Sequence, residues 1–188
     1  VDDEGSRDLF LGYAVAAFNA FNYESITWII EAAEEENMPV IAMLYPACAS
    51  FIPFTAFAAI VKDAASRAKV PVGLHLDHSR SFEEIMAGIR DGFTSVMIDG
   101  SSLPFEDNVR ATREIVKAAH AMDVDVKAEL GYVGSASNID DYADSARYTD
   151  AASVAEFVER TGVDSLAIAI GNAHGNYAAT PNLDLKRL

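Results

Sequence analysis

The sequence predicts an α/β fold of the (β/α)8, or TIM-barrel, type, with about six of the eight β–α units present. Three observations carry this. Short apolar runs alternate with segments of helical spacing. The alternation repeats about every 30 residues, close to one-eighth of a typical barrel of roughly 250 residues. Polar residues able to do chemistry gather where the apolar runs stop. An open doubly wound sheet shares the periodicity but concentrates its chemistry at one switch point. Chemistry spread over many strand ends favours the barrel.

The elements follow in order. The first apolar run is Tyr13–Phe18, and Ile26, Ile29, Ile30 and Ala33 then form a helical stripe. Glu34-Glu35-Glu36 reads as its solvated end. Val40–Tyr45 is the second strand. The stretch from Met38 to Val61 is uncharged, but Pro39, Pro46 and Pro53 interrupt it, so it reads as strand, loop and helix start rather than a membrane span. The third strand is Val72-Gly73-Leu74-His75-Leu76. Behind a Ser81-x-x-Glu84 capping box, Phe82, Ile85, Met86 and Ile89 fall on one helical face. Ser95–Ile98 is the fourth strand, Ile115, Val116 and Ala119 mark a helix, and Val124–Ala128 is the fifth strand. A helix at Ser153–Arg160 presents Val154, Phe157 and Val158 and is stopped by Gly162. Ser165–Ile170 is the sixth strand. Near-continuous apolar strands of this kind are covered on both faces, which suits a parallel sheet. With no Pro/Ser-rich linker, residues 1–188 read as a single barrel domain that stops before a seventh and eighth strand.

Composition narrows the class. The 188 residues include 29 acidic and 14 basic side chains, a formal charge of −15. The 51% hydrophobic content supplies a core and excludes a compositionally disordered chain. The acidic balance argues against nucleic acid as a partner, because phosphate backbones require a cationic face. A single cysteine, Cys48, excludes an internal disulfide and fits a reducing compartment. The acidic opening Val1-Asp2-Asp3-Glu4 is unlike a secretory leader, so a cytoplasmic location without membrane partners is expected.

The strand ends are where chemistry collects. They carry Asn19 and Asn22; His75-Leu76-Asp77-His78; Asp99-Gly100-Ser101; Glu129-Leu130-Gly131; and Gly171-Asn172-Ala173-His174-Gly175. Strand alternation places His75 and Asp77 on one face, while His78 lies where strand gives way to loop. His78 and His174, flanked by carboxylates, are the donors a borderline divalent metal such as zinc prefers. Two histidines do not complete a catalytic zinc site, which usually takes three protein ligands.

At these residues the chain resembles the class II, zinc-dependent ketose-bisphosphate aldolases, nearest the fructose/tagatose bisphosphate branch. The resemblance is carried by Tyr13-Ala14-Val15-x-Ala17-Phe18-Asn19, His75-Leu76-Asp77-His78, Ser95-Val96-Met97-Ile98-Asp99 and Leu103-Pro104-Phe105-Glu106-x-Asn108. Ala128-Glu129-Leu130-Gly131, Thr161-Gly162-Val163-Asp164-Ser165-Leu166-Ala167 and Ala173-His174-Gly175-x-Tyr177 continue it in order. It implies a metal-dependent retro-aldol cleavage of a ketose 1,6-bisphosphate to dihydroxyacetone phosphate and an aldehyde phosphate. His78 and His174 match two zinc-binding histidines, and Asp77 matches the acid/base. Asp99 and Glu129 match carboxylates that hold the metal in an alternative position or hold a second cation. Gly175 matches a backbone contact near phosphate, Asn19 lines the substrate pocket, and His75 orients Asp77 or a ligand. A homo-oligomer, dimer or tetramer, is implied as well.

Three departures stand out. The family's third zinc histidine belongs after the seventh strand and the phosphate-binding segment on the eighth, both past Leu188. The loop after the fifth strand, which usually supplies a second acid/base carboxylate, reads Gly134-Ser135-Ala136-Ser137-Asn138, with Asp140 and Asp141 a few residues on. Bland readings stand beside the functional ones. His120 reads as a packed or half-exposed helix residue, Asp99 and Glu129 as loop anchors, and Tyr142 and Tyr148 as loop fasteners. Cys48 reads as packing. Two alternatives stay open: a non-catalytic paralogue that binds sugar phosphates, and an aldolase for a different phosphorylated keto substrate.

Overall fold

The structure, a computed structural model, describes residues 13–188. These gather into two compact units: residues up to Ile98 with Lys117–Val126, and Asp99–Val116 with Lys127–Leu188. The strands of the sheet follow one another in chain order.

In the first unit the order is β1 (Ala16–Asn19), α1 (Tyr23–Glu36), β2 (Val40–Leu44), a 3-10 turn at Pro46–Ser50, α2 (Phe54–Ala65), β3 (Val72–Ser79), α3 (Phe82–Asp91) and β4 (Ser95–Ile98). All pairings are parallel, with Ala16 opposite Val40, Val40 opposite Val72, and His75 opposite Ser95. The start of β5 (Asp125–Leu130) continues the ladder through the Asp125 N–H, which donates to the Thr94 carbonyl at 3.3 Å. Parallel neighbours require crossover helices, and the amphipathic stripes supply them. Ile26, Ile30 and Ala33 of α1 are buried as predicted. Asn22 caps α1 by accepting from the Ser25 N–H at 2.8 Å, which satisfies a backbone donor the helix cannot. Phe57 stacks on Phe93 with ring centroids 6.0 Å apart, and both are fully buried.

Helix α3 corrects two details. Ser81 accepts from the Glu84 N–H as a capping box requires, but the Glu84 carboxylate takes the Arg80 N–H instead of that of Ser81. Gly88 joins Ile85 and Ile89 on the buried face, while Phe82 is 39% exposed. The reason is close packing: a Cβ at Gly88 would lie 2.6 Å from Leu76 Cδ2 of β3. Only glycine lets the helix approach that far.

The second unit holds most of α4 (Phe105–His120), the rest of β5, a short α5 (Ile139–Ala143), a 3-10 turn at Ser145–Arg147, α6 (Ala151–Thr161) and β6 (Ser165–Ile168). β5 and β6 pair in parallel, Lys127 opposite Ser165 through Leu130 opposite Ile168. Gly162 ends α6 in the left-handed region, as expected. Helix α5 is too short to show a stripe, so the sequence does not announce it. Strand limits also move: β1 begins at Ala16, β5 runs on to Leu130, and β6 ends at Ile168. The largest change is in β3, which runs on to Ser79.

Candidate active site

The extension of β3 matters because it carries the site. Leu76 faces Val96, yet Ser79 faces Ile98, so three residues of β3 are matched against two of β4. This bulge inserts one extra residue, and His78 absorbs it at φ 47°, in the left-handed region. A regular strand would turn His78 to the face opposite Asp77. With the bulge, His78 Nε2 lies 3.9 Å from Asp77 Oδ2. His78 thus stands within a distorted strand end and not in a loop.

Asp77, 4% exposed, is surrounded by polar groups. Asn19 Nδ2, at the end of β1, donates to Asp77 Oδ2 at 3.1 Å. His75 Nε2 is 3.8 Å from Asp77 Oδ1, and its other ring nitrogen shares a 2.8 Å hydrogen bond with Ser95 Oγ. That second bond fixes the His75 ring. Tyr45 meets the His78 ring edge-on, with centroids 6.3 Å apart. In the sequence Ser95 and Tyr45 stand out only as strand residues, not as site residues. His75–Ser95 follows from strand register, which periodicity does not encode; Tyr45 at the end of the second apolar run was the only available hint.

In the second unit, a carboxylate oxygen of Glu129 and a ring nitrogen of His174 lie within 4.8 Å of each other. Glu129 is 3% exposed on β5, while His174 is exposed beyond β6. The Glu129 backbone carbonyl accepts from Asn108 Nδ2 of α4 at 2.9 Å. His174 is held by its backbone: its N–H donates to the Gly134 carbonyl at 2.9 Å, and its carbonyl accepts from the Ala136 N–H at 2.8 Å. Gly175 follows at φ 97°, where an added Cβ would meet nothing within 4 Å. Glycine is therefore required there by conformation, and its open side leaves the backbone approachable.

Asp99 organises the turn that follows β4. One oxygen, Oδ1, accepts both the Ser101 N–H at 3.2 Å and the Ser101 hydroxyl at 2.6 Å, which closes a tight turn. Asp141 is likewise a loop organiser: its carboxylate takes the Ser135 N–H, Asn138 Nδ2 and Arg147 Nη1. Tyr148 donates to the Tyr142 carbonyl at 3.0 Å, and the Tyr142 hydroxyl accepts from the Ala179 N–H at 3.2 Å, so both fasten loops as expected. His120 is exposed at the end of α4.

A parallel α/β fold with imidazoles and carboxylates at the carboxyl ends of its strands belongs to the (β/α)8 class, with six strands among the described residues. The chain belongs to the class II fructose-bisphosphate aldolase family, whose sequence pattern matches residues 11–188. It is 45% identical over 180 residues to the "Probable fructose-bisphosphate aldolase" of Bacillus subtilis strain 168, covering 94% of this chain and 63% of that protein. Among solved structures it resembles the YdjI aldolase from Escherichia coli K12 (TM-score 0.86, 39% identity, 98% of this chain and 65% of that one). It also resembles fructose-bisphosphate aldolase from Campylobacter jejuni (TM-score 0.76, 27% identity, 93% of this chain and 58% of that one). The chain thus spans less than two-thirds of the length of these relatives.

Proposed function

We propose that this chain carries metal-binding and acid/base residues of an aldolase that reversibly cleaves a ketose 1,6-bisphosphate, of fructose or tagatose type, into dihydroxyacetone phosphate and an aldehyde phosphate. The observation that carries the reading is the Asp77 cluster, where a bulged β3 turns a carboxylate and two imidazoles toward one another. Family membership and the Glu129–His174 pair support it.

In this reading His78 and His174 are zinc ligands, and Asp99 and Glu129 offer carboxylates for an alternative position or a second cation. Nitrogen and carboxylate donors suit zinc, and Glu129 brings a buried carboxylate to the end of β5. When bound, the ion supplies a Lewis-acid centre for the ketose carbonyl. Asp77 takes the proton from the hydroxyl on the scissile side and returns it in the condensation direction. Asn19 fixes the rotation of the Asp77 carboxylate and presents an amide to substrate. His75, anchored by Ser95, walls the opposite oxygen. Gly175 admits a phosphate close to its backbone. A cytoplasmic homo-oligomer, dimer or tetramer, belongs to the same proposal.

The test is aldol cleavage of fructose and tagatose 1,6-bisphosphates with and without chelator, on the parent and Asp77→Ala. Activity should vanish with chelator and return with zinc. Asp77→Ala should keep its zinc and lose turnover by ~100-fold or more. Chelator-insensitive cleavage would sink the metal role; near-normal turnover in Asp77→Ala would sink the acid/base assignment. The alternative of a non-catalytic sugar-phosphate binder is favoured by one observation: Asp141, the nearest buried acid beyond the Ser135–Asn138 loop, already serves three donors within that loop. Bisphosphate binding by the zinc-loaded protein without cleavage would decide for it.

A further inference from the structure

We propose that Asp141 is a positioning residue for His174, acting through the backbone of residues 134–136; this rests on the reading of His174 as a metal ligand. His174 lies outside every helix and strand, between Gly171 and Gly175, both at positive φ. Its direction is therefore set by what grips its backbone. That grip is a two-bond bridge: the His174 N–H donates to the Gly134 carbonyl, and the Ala136 N–H donates to the His174 carbonyl, with Ser135 opposite His174.

In an extended strip, successive N–H groups point to opposite edges. One edge of the 134–136 strip holds His174, and the Ser135 N–H faces away from it. There it meets Asp141 Oδ2 at 3.0 Å. The other oxygen, Oδ1, accepts Asn138 Nδ2 at 3.1 Å and Arg147 Nη1 at 2.8 Å. Asp141 is 9% exposed, and the Arg147 guanidinium that offsets its charge also lies over the Tyr132 ring, 5.1 Å from its centroid. An ionised carboxylate can accept all three donors; an amide of the same shape cannot, because one arm becomes a donor. Asp141 thus clamps the strip from behind, and the strip clamps His174. A group so engaged is not placed to exchange protons with substrate, so its value lies in holding the histidine. Partners that orient metal ligands commonly change metal affinity by about 10–100-fold when removed.

The experiment uses the full chain and zinc alone. Zinc affinity is measured by competition with a chromogenic chelator, and hydrogen exchange is followed at the His174 and Ala136 amides. Asp141→Ala should free both amides to exchange and weaken zinc by about tenfold or more. Asp141→Asn should do so in smaller measure. Asp150→Ala, which removes only the α6 cap on the Ala152 N–H, should lower thermal stability and leave both readouts unchanged. Should Asp141→Ala fail to fold, Asp141→Asn reads the same two quantities. Unchanged amide protection, or freed amides with zinc affinity at the parent's level, would overturn the proposal. Failure of the metal reading looks different: the parent would bind no zinc, or His174→Ala would bind it as tightly as the parent, and the inference would fall with it.

Discussion

Asn108 offers the sharpest test of how the second unit is held together. It is 1% exposed on α4; its Nδ2 donates to the Glu129 carbonyl at 2.9 Å, and its Oδ1 accepts from the Thr112 hydroxyl at 3.1 Å. A Cβ on Gly100 would collide with that same Oδ1, so the amide sits in a fitted slot. Asn108→Ala strips the Glu129 carbonyl of this donor and the Thr112 hydroxyl of its acceptor. Each buried polar group deprived in this way costs about 1–3 kcal/mol. The Thr112 hydroxyl can fall back on a backbone carbonyl one turn earlier, which places the total near ~3 kcal/mol. For a chain of this size that is a fall in Tm of about 6–12 °C. Each single substitution, Asn108→Ala or Thr112→Val, loses the Thr112–Asn108 bond and the double loses it only once, so the double variant should cost less than the two singles together, by ~1 kcal/mol. Urea unfolding of the four proteins with unchanged m-values measures this cycle. Asn108→Ala within ~0.5 kcal/mol of the parent, or a strictly additive double variant, would refute the argument.

Two other outcomes follow from the same unit. Thr149, 2% exposed, bridges β5 and β6 where their ladder ends: its hydroxyl donates to the Leu130 carbonyl and accepts from the Ala169 N–H at 2.7 Å. Thr149→Val keeps the shape and loses both bonds, an expected loss of about 2–4 kcal/mol in urea unfolding that Thr149→Ser largely restores. On the surface, Arg160 grips both oxygens of Glu106 at 2.6 and 2.9 Å, which holds the Glu106 carboxyl below its ordinary range. A lowered carboxylate stabilises the fold above its unfolded-state pKa and stops doing so as pH falls through the lowered value. Arg160→Ala should therefore cost a little thermal stability at neutral pH, less at high salt, and nothing in strong acid.

The sequence alone determined the class of the fold and the neighbourhood of the chemistry. Alternating apolar runs and helical stripes are local properties of period two and 3.6, so they survive in one dimension. Ile26, Ile30 and Ala33 were legible as a buried face, Gly162 as a stop, and Asn19, Asp77, Glu129 and His174 as strand-end residues. What period cannot carry is a shift of register or a bond between distant segments. The β3 bulge that returns His78 to the face of Asp77 exists because Ser79 pairs with Ile98, a match made 19 residues away. Asn19 meets Asp77 across 58 residues, and Asn108 meets the Glu129 carbonyl across 21. In the sequence Asp141 merely lies a few residues beyond the Ser135–Asn138 loop; in the fold it organises that loop, because three donors from Ser135, Asn138 and Arg147 converge on it. Residue types set which chemistry was available, and the tertiary structure decided which groups face one another, since buried polar groups take their partners wherever the packed backbone brings them.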